Sequence, residues 1–191
     1  MSGSAELLYS LVAALPSRHA EEQLVQFRAR PDAWETCLTI AAGAEGQVGT
    51  PFTLLLFTAQ TLHALARRCP PVSATDPVAA AAHDQFLAAR QNGLLAALAR
   101  MGAAAAPQGR PPGHIAKLLT AALAALSVRS YAQLPAALPA VVQRLPPGFA
   151  VQLLLAVAEE GEALQARAGE RRAGSAGSAG AVGPGAGCVP Q

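Results

Sequence analysis

The chain has 191 residues, 52% of them hydrophobic and only 14% charged, with 46 Ala and 26 Leu but 4% aromatics. That is enough chain for one domain or a short repeat array, too apolar to stay disordered over most of its length, and too poor in β-branched and aromatic residues for a β-sandwich or barrel. A net charge of +2, carried by thirteen Arg and the single Lys117 against twelve acids, is too small to point to nucleic acid or an anionic membrane.

Ala and Leu are strong helix formers, and their spacing reads as helices from end to end. Leu7, Leu8, Leu11 and Leu15 form a first stripe closed by Pro16. Ser17 stands where it can cap a second helix, with Ala20, Leu24 and Phe27 on one face. Pro31 and Asp32 suit the start of a third, which carries Trp34, Cys37, Leu38 and Ala41 and ends before Gly43, Gly46 and Gly49. Pro51 opens a fourth helix reaching Arg68, apolar on more than one side and therefore central in its layer. After a Pro-rich loop, Asp76-Pro77 starts a fifth helix that runs to about Met101. Ile115 to Leu126 makes a sixth stripe and Tyr131 to Leu145 a seventh, where Pro135 and Pro139 demand a helix starting close to them. Beyond Pro146-Pro147, Phe149, Leu153, Val157 and Leu164 mark a last helix fading near Ala168. The Gly/Ala/Ser-rich stretch 169–191 reads as a flexible tail, leaving 1–168 as the folded domain.

The expected fold class is therefore all-α, as consecutive helical hairpins. Paired helices repeating every ~40–47 residues are the mark of a HEAT-type α-solenoid, and a compact helical bundle gives a similar pattern. The many Pro-punctuated hairpins favour the solenoid.

Catalytic signatures do not appear. His19, His63, His83 and His114 form no HExxH or other metal spacing, and no GxSxG elbow or GxxxxGK[ST] loop occurs. Glu21-Glu22 and Glu159-Glu160-Glu162 read as solvated faces. Cys37, Cys69 and Cys188 are odd in number and lack CxxC spacing, which fits a reducing compartment. Glu6 interrupts what would be the apolar core of a signal peptide, and the longest uncharged window contains Gln47, Pro51, Gln60 and His63, unlike a membrane span. No enzyme, cofactor or metal site is expected. Trp34 reads as a core anchor between helix pairs, and Arg67-Arg68 as a complement to the fourth helix's C-terminal dipole. Gln60, His63 and Arg67 recur about one turn apart and form a polar strip suited to binding a protein partner.

The segment LVQFRARPDAWETCLTI (24–40), followed by LLLFTAQTLHALARR (54–68), resembles the N-terminal region of nuclear transport receptors of the importin-beta superfamily, and within it the transportin-SR branch. Leu24, Phe27, Pro31, Ala33 and Trp34 match a Leu-x-x-Phe segment leading to Pro-x-Ala-Trp; Phe57, Ala59, Gln60, Thr61 and Leu62 match Phe-x-Ala-Gln-Thr-Leu. HIAKLLTAALAALSVRSY and PAALPAVVQRLPPGF continue the likeness to Glu159-Glu160. The resemblance implies a right-handed stack of HEAT repeats, about four here. It implies that the inner helices of the first repeats, and with them Gln60, His63 and Arg67, bind the small GTPase Ran in its GTP form. The setting would be protein import into the nucleus, with the protein in cytoplasm and nucleus. The family's later repeats hold most cargo, so a cargo protein is expected only where further repeats are present. A last hairpin without a following repeat is expected to expose an apolar face. The rival expectation is a helical scaffold that binds a partner helix in its groove, with no Ran-dependent role.

Overall fold

The computed structural model describes residues 2–43, 51–70, 77–105, 113–129, 134–145 and 147–178. Among these the chain forms eight helices and no strand: α1 (Ser2–Ala13), α2 (Arg18–Phe27), α3 (Ala33–Gly43), α4 (Phe52–Arg68), α5 (Pro77–Ala105), α6 (His114–Arg129), α7 (Leu134–Gln143) and α8 (Pro147–Ser178). The fold is all-α. Helices adjacent in sequence pack as hairpins, α1 on α2, α3 on α4, α5 on α6 and α7 on α8. Across the hairpins, α4, α6 and α8 lie side by side with α6 in the middle, and α3 and α5 pack on each other along one side of that layer.

Prolines set several boundaries as the sequence suggests. Pro77 and Pro147 occupy the first positions of α5 and α8, where the missing N–H costs nothing. Pro51 precedes α4, and its carbonyl accepts from the amides of Leu54 and Leu55. Pro139 lies inside α7, where it removes one intrahelical bond. Ser17 holds the cap position of α2 in extended conformation, but its hydroxyl makes no capping bond. Asp32 does not cap α3 through its side chain either. Its carbonyl accepts from the Thr36 amide, while its carboxylate takes hydrogen bonds from Arg30 (2.9 and 3.0 Å) and from the Ser4 hydroxyl (2.7 Å). These donors, Arg30 first, hold the Asp32 carboxyl below its ordinary value and tie α1 to the start of α3.

Two faces differ from expectation. On α1 the buried positions are Leu8 and Val12, while Leu7 and Leu15 are 39% exposed. α8 continues ten residues beyond Ala168, through a stretch expected to be flexible, to Ser178. That stretch lacks apolar periodicity and holds three Gly, but elongation from a helix already nucleated on its packed N-terminal half avoids the cost of a new nucleus, and Glu170, Arg171, Arg172 and the two Ala are good helix formers. The tail expectation for 179–191 lies outside the described residues, as do Tyr131 and Cys188.

The core runs through all the major helices, and α6 is its axis. Every residue from Ala122 to Arg129 is buried, polar ones included. A helix buried all round must be lined with small or apolar side chains, and AALAALSVR meets that need. Thr120 and Ser127 return their hydroxyls to the carbonyls of Ala116 and Leu123, and on α4 Thr58 does the same to Leu54, so none is left unpaired. The sequence pattern assigns the central place to α4; the structure gives it to α6, which α4, α5 and α8 all cover. Close approach recurs on the other side of the molecule, where a Cβ at Gly93 of α5 would run into the end of the Leu38 side chain on α3.

Trp34 is buried to 1% exposure, as its place in the sequence suggests, and the Arg90 guanidinium of α5 sits 4.5 Å above its ring. It therefore joins the second hairpin to the third. Trp34→Ala removes the largest buried side chain from that junction and is expected to lower stability by about 3–5 kcal/mol. A urea midpoint equal to the parent's would show that the ring contributes no packing.

Candidate functional site

Three constellations bring polar or aromatic groups from different helices together. The first is the joint between the two segments singled out above. Phe27, at the end of α2, packs its ring 6.3 Å from that of Phe57 on α4. Arg28 places its guanidinium 4.9 Å over Phe57 and donates from Nε to the Thr61 hydroxyl at 3.2 Å. Thr61 is fully buried. Pro31 is an exposed residue of the turn that follows, two residues before α3 begins, and Trp34 packs one helix further on. Phe27, Phe57 and Thr61 are thus packing residues between the first two hairpins, and Trp34 is one between the second and the third. Gln60 is the one residue of this set that α4 presents to solvent.

The second is the strip Gln60, His63 and Arg67. His63 and Arg67 are drawn off the surface by Glu160 of α8. His63 Nε2 lies 3.5 Å and Arg67 Nε 3.2 Å from the same Glu160 oxygen. All three are shielded, with side chains 22%, 35% and 10% exposed respectively. Both nitrogens are buried, and neither is aligned for a hydrogen bond on that oxygen, so Arg67 is held by charge proximity rather than directed bonding and His63 by contact beside it. The Glu159-Glu160-Glu162 run is therefore not uniformly solvated: Glu159 and Glu162 are exposed, and Glu160 is an interhelical partner.

The third was not singled out from the sequence. Arg129, the last residue of α6, is 3% exposed. Its Nε donates to the Cys69 carbonyl (2.6 Å), Nη2 to the Arg67 carbonyl (2.6 Å) and Nη1 to the Ala125 carbonyl (2.5 Å). A planar fork of donors meets the open carbonyls at the end of α4, where a helix C-terminus concentrates partial negative charge. Arg67 and Arg68 do stand in the last turn of α4, but the open carbonyls there are bonded from another helix, and the Arg67 side chain is turned sideways to Glu160. The available signal was an Arg closing a helix that carries no other charge after Lys117, with no acid near it in sequence.

Cys37, Cys69 and His83 each sit in a packed or hydrogen-bonded place. Cys37 is fully buried, and burial pushes its thiol up to about 12, with Arg28 opposing weakly; at that value it is no nucleophile. Cys69 is buried, donates to the Leu65 carbonyl and accepts from Arg90. His83 meets the Pro70 carbonyl at 3.0 Å and stacks on Phe86. Among the described residues no three His, Cys, Asp or Glu side chains gather to hold a metal ion, and no helix is long and apolar enough to cross a membrane.

Compared with protein-family models, curated proteins and solved structures, the chain matches none of them.

Arg129→Met keeps the apolar stem but strips donors from three carbonyls, two of them on the end of α4. It is expected to cost about 2–4 kcal/mol, because buried acceptors lose charged donors. Chemical denaturation checks this, and a variant as stable as the parent would mean that water satisfies those carbonyls equally well.

Proposed function

We propose that the chain is a non-enzymatic receptor module of nucleocytoplasmic transport, the N-terminal region of an importin-beta-type receptor, built as a right-handed solenoid of about four HEAT-type hairpins. The observation that carries this is the layering. Four successive hairpins each contribute an even-numbered helix, of which α4, α6 and α8 stand in order in one layer. The joint of Phe27, Arg28, Phe57 and Thr61 supports it further, because the two segments that carry the resemblance meet there.

In this proposal the α4 face bearing Gln60, with the open edges of His63 and Arg67, contacts Ran in its GTP form. Binding and release would then be coupled by linkage to the curvature of the stack, since a partner shifts only the state it binds better. Cargo contact would fall to further repeats. The site of action would be cytoplasm and nucleus, in protein import.

One observation favours the second reading, a helical scaffold with no Ran-dependent role: Glu160 already engages His63 and Arg67, leaving Gln60 as the only fully presented member of the strip.

Titration of the chain with GTP-loaded and GDP-loaded Ran separates the two. Receptor function predicts binding of the GTP form only, weakened about tenfold by Gln60→Glu, with the melting temperature unchanged because Gln60 is exposed. Arg67→Glu is a poorer probe, since it sets two carboxylates together against α8 and lowers stability as well. Failure of the parent chain to bind either form would leave the scaffold reading standing.

A further inference from the structure

We infer that Glu160 is an autoinhibitory contact: it occupies from within a site on α4, formed by His63 and Arg67, that receives a carboxylate of an acidic protein segment. The inference rests on the reading of the Gln60, His63 and Arg67 strip as a protein-binding face, and not on Ran being the partner. α4 carries no acidic residue from Phe52 to Arg68, and its C-terminal half holds His63, Arg67 and Arg68. One oxygen of Glu160, a side chain 10% exposed, reaches across from α8 to lie 3.2 Å from Arg67 Nε and 3.5 Å from His63 Nε2. The occupant that the site already holds is therefore a carboxylate, and this names the chemistry of the group that would replace it.

The internal fit is incomplete. Both nitrogens are buried without a hydrogen-bond partner, and among the described residues the Arg67 guanidinium makes no hydrogen bond. Other charged pairs of the molecule do align. Asp32 accepts from Arg30 at 2.9 and 3.0 Å, and Glu22 from Arg18 at 3.1 Å. A buried donor left unsatisfied costs free energy that an aligned acceptor recovers, and a guanidinium fork receives a carboxylate through two parallel bonds. An incoming carboxylate thus gains what Glu160 leaves unmade. The exchange needs no unfolding. α8 packs along α6 and against α7, with Phe149 and Leu153 buried in its N-terminal part, whereas α4 is met by the Glu160 side chain. Arg67 is 35% exposed and Gln60, one turn earlier, is open to solvent, so a partner reaches the site along the strip.

The test uses the full chain with labelled oligo-Glu and oligo-Gln peptides of equal length, followed by fluorescence anisotropy below the melting temperature of each variant. Glu160→Gln keeps the size of the side chain and removes its charge. It is expected to bind oligo-Glu about tenfold more tightly than the parent does, with the gain shrinking as salt rises, and to leave oligo-Gln unbound. Arg67→Gln in the Glu160→Gln background should abolish the gain. Glu159→Gln removes the same charge from the exposed neighbour and should leave the parent's affinity unchanged within about twofold, because solvent screens that carboxylate. A second measurement needs no variant: saturating oligo-Glu should shift the His63 ring resonances of the parent chain and leave those of the exposed His19 in place. Equal affinity of parent and Glu160→Gln, an equal gain from Glu159→Gln, a gain that survives Arg67→Gln, or an unmoved His63 would each overturn the assignment. No readout involves Ran, so a failure here is distinguishable from a failure of the transport proposal.

Discussion

The fold depends on how the end of α6 is satisfied inside the protein. A helix buried on every side cannot hydrate its terminal groups, and neither can the helix end that packs against it. Arg129 meets both demands with one side chain, bonding the carbonyls of Arg67 and Cys69 on α4 and that of Ala125 on its own helix. One residue therefore sets the register of α4 against α6. Because Arg67 also faces Glu160, the same turn of α4 is linked onward to α8. The three helices of the central layer are thus linked at one level.

Small side chains make the arrangement possible. The Ala-rich face of α6 lets neighbours approach closely, and buried Thr and Ser substitute for apolar residues at no hydrogen-bonding loss because each returns to a carbonyl one turn back. Low aromatic content leaves few large anchors, which is why Trp34 and the Phe27–Phe57 pair weigh heavily at the hairpin junctions. Each of these anchors is roofed by an arginine, Arg90 over Trp34 and Arg28 over Phe57, so part of the cationic surface is spent on covering rings rather than on recognising anions.

Much of the architecture was legible in the sequence. The helical periods, the Pro77 and Pro147 starts and the buried stripe of α6 are local properties, set by spacing and by backbone chemistry. What could not be read was tertiary in origin. Leu7 and Leu8 are equivalent in composition, and only the position of α2 and α3 decides that Leu8 turns inward. Gln60, His63 and Arg67 lie along α4, but nothing near them in sequence announces that Glu160, more than ninety residues on, closes over two of them. Arg129 was missed for the same reason, since its partners belong to a distant helix end. The acidic run of α8 reads as one unit and divides in three dimensions into one internal partner and two exposed carboxylates.

The central claim is that α6 is the axis of the protein and that Arg129 couples its end to α4. Native-state amide hydrogen exchange tests it most directly, because it reports the opening free energy helix by helix. Amides of residues 122–129 are expected to be the slowest to exchange and to open together with those of residues 58–66 in α4, while α1 exchanges faster and independently. Protection of α6 no greater than that of α1, or α4 opening while α6 stays closed, would contradict it.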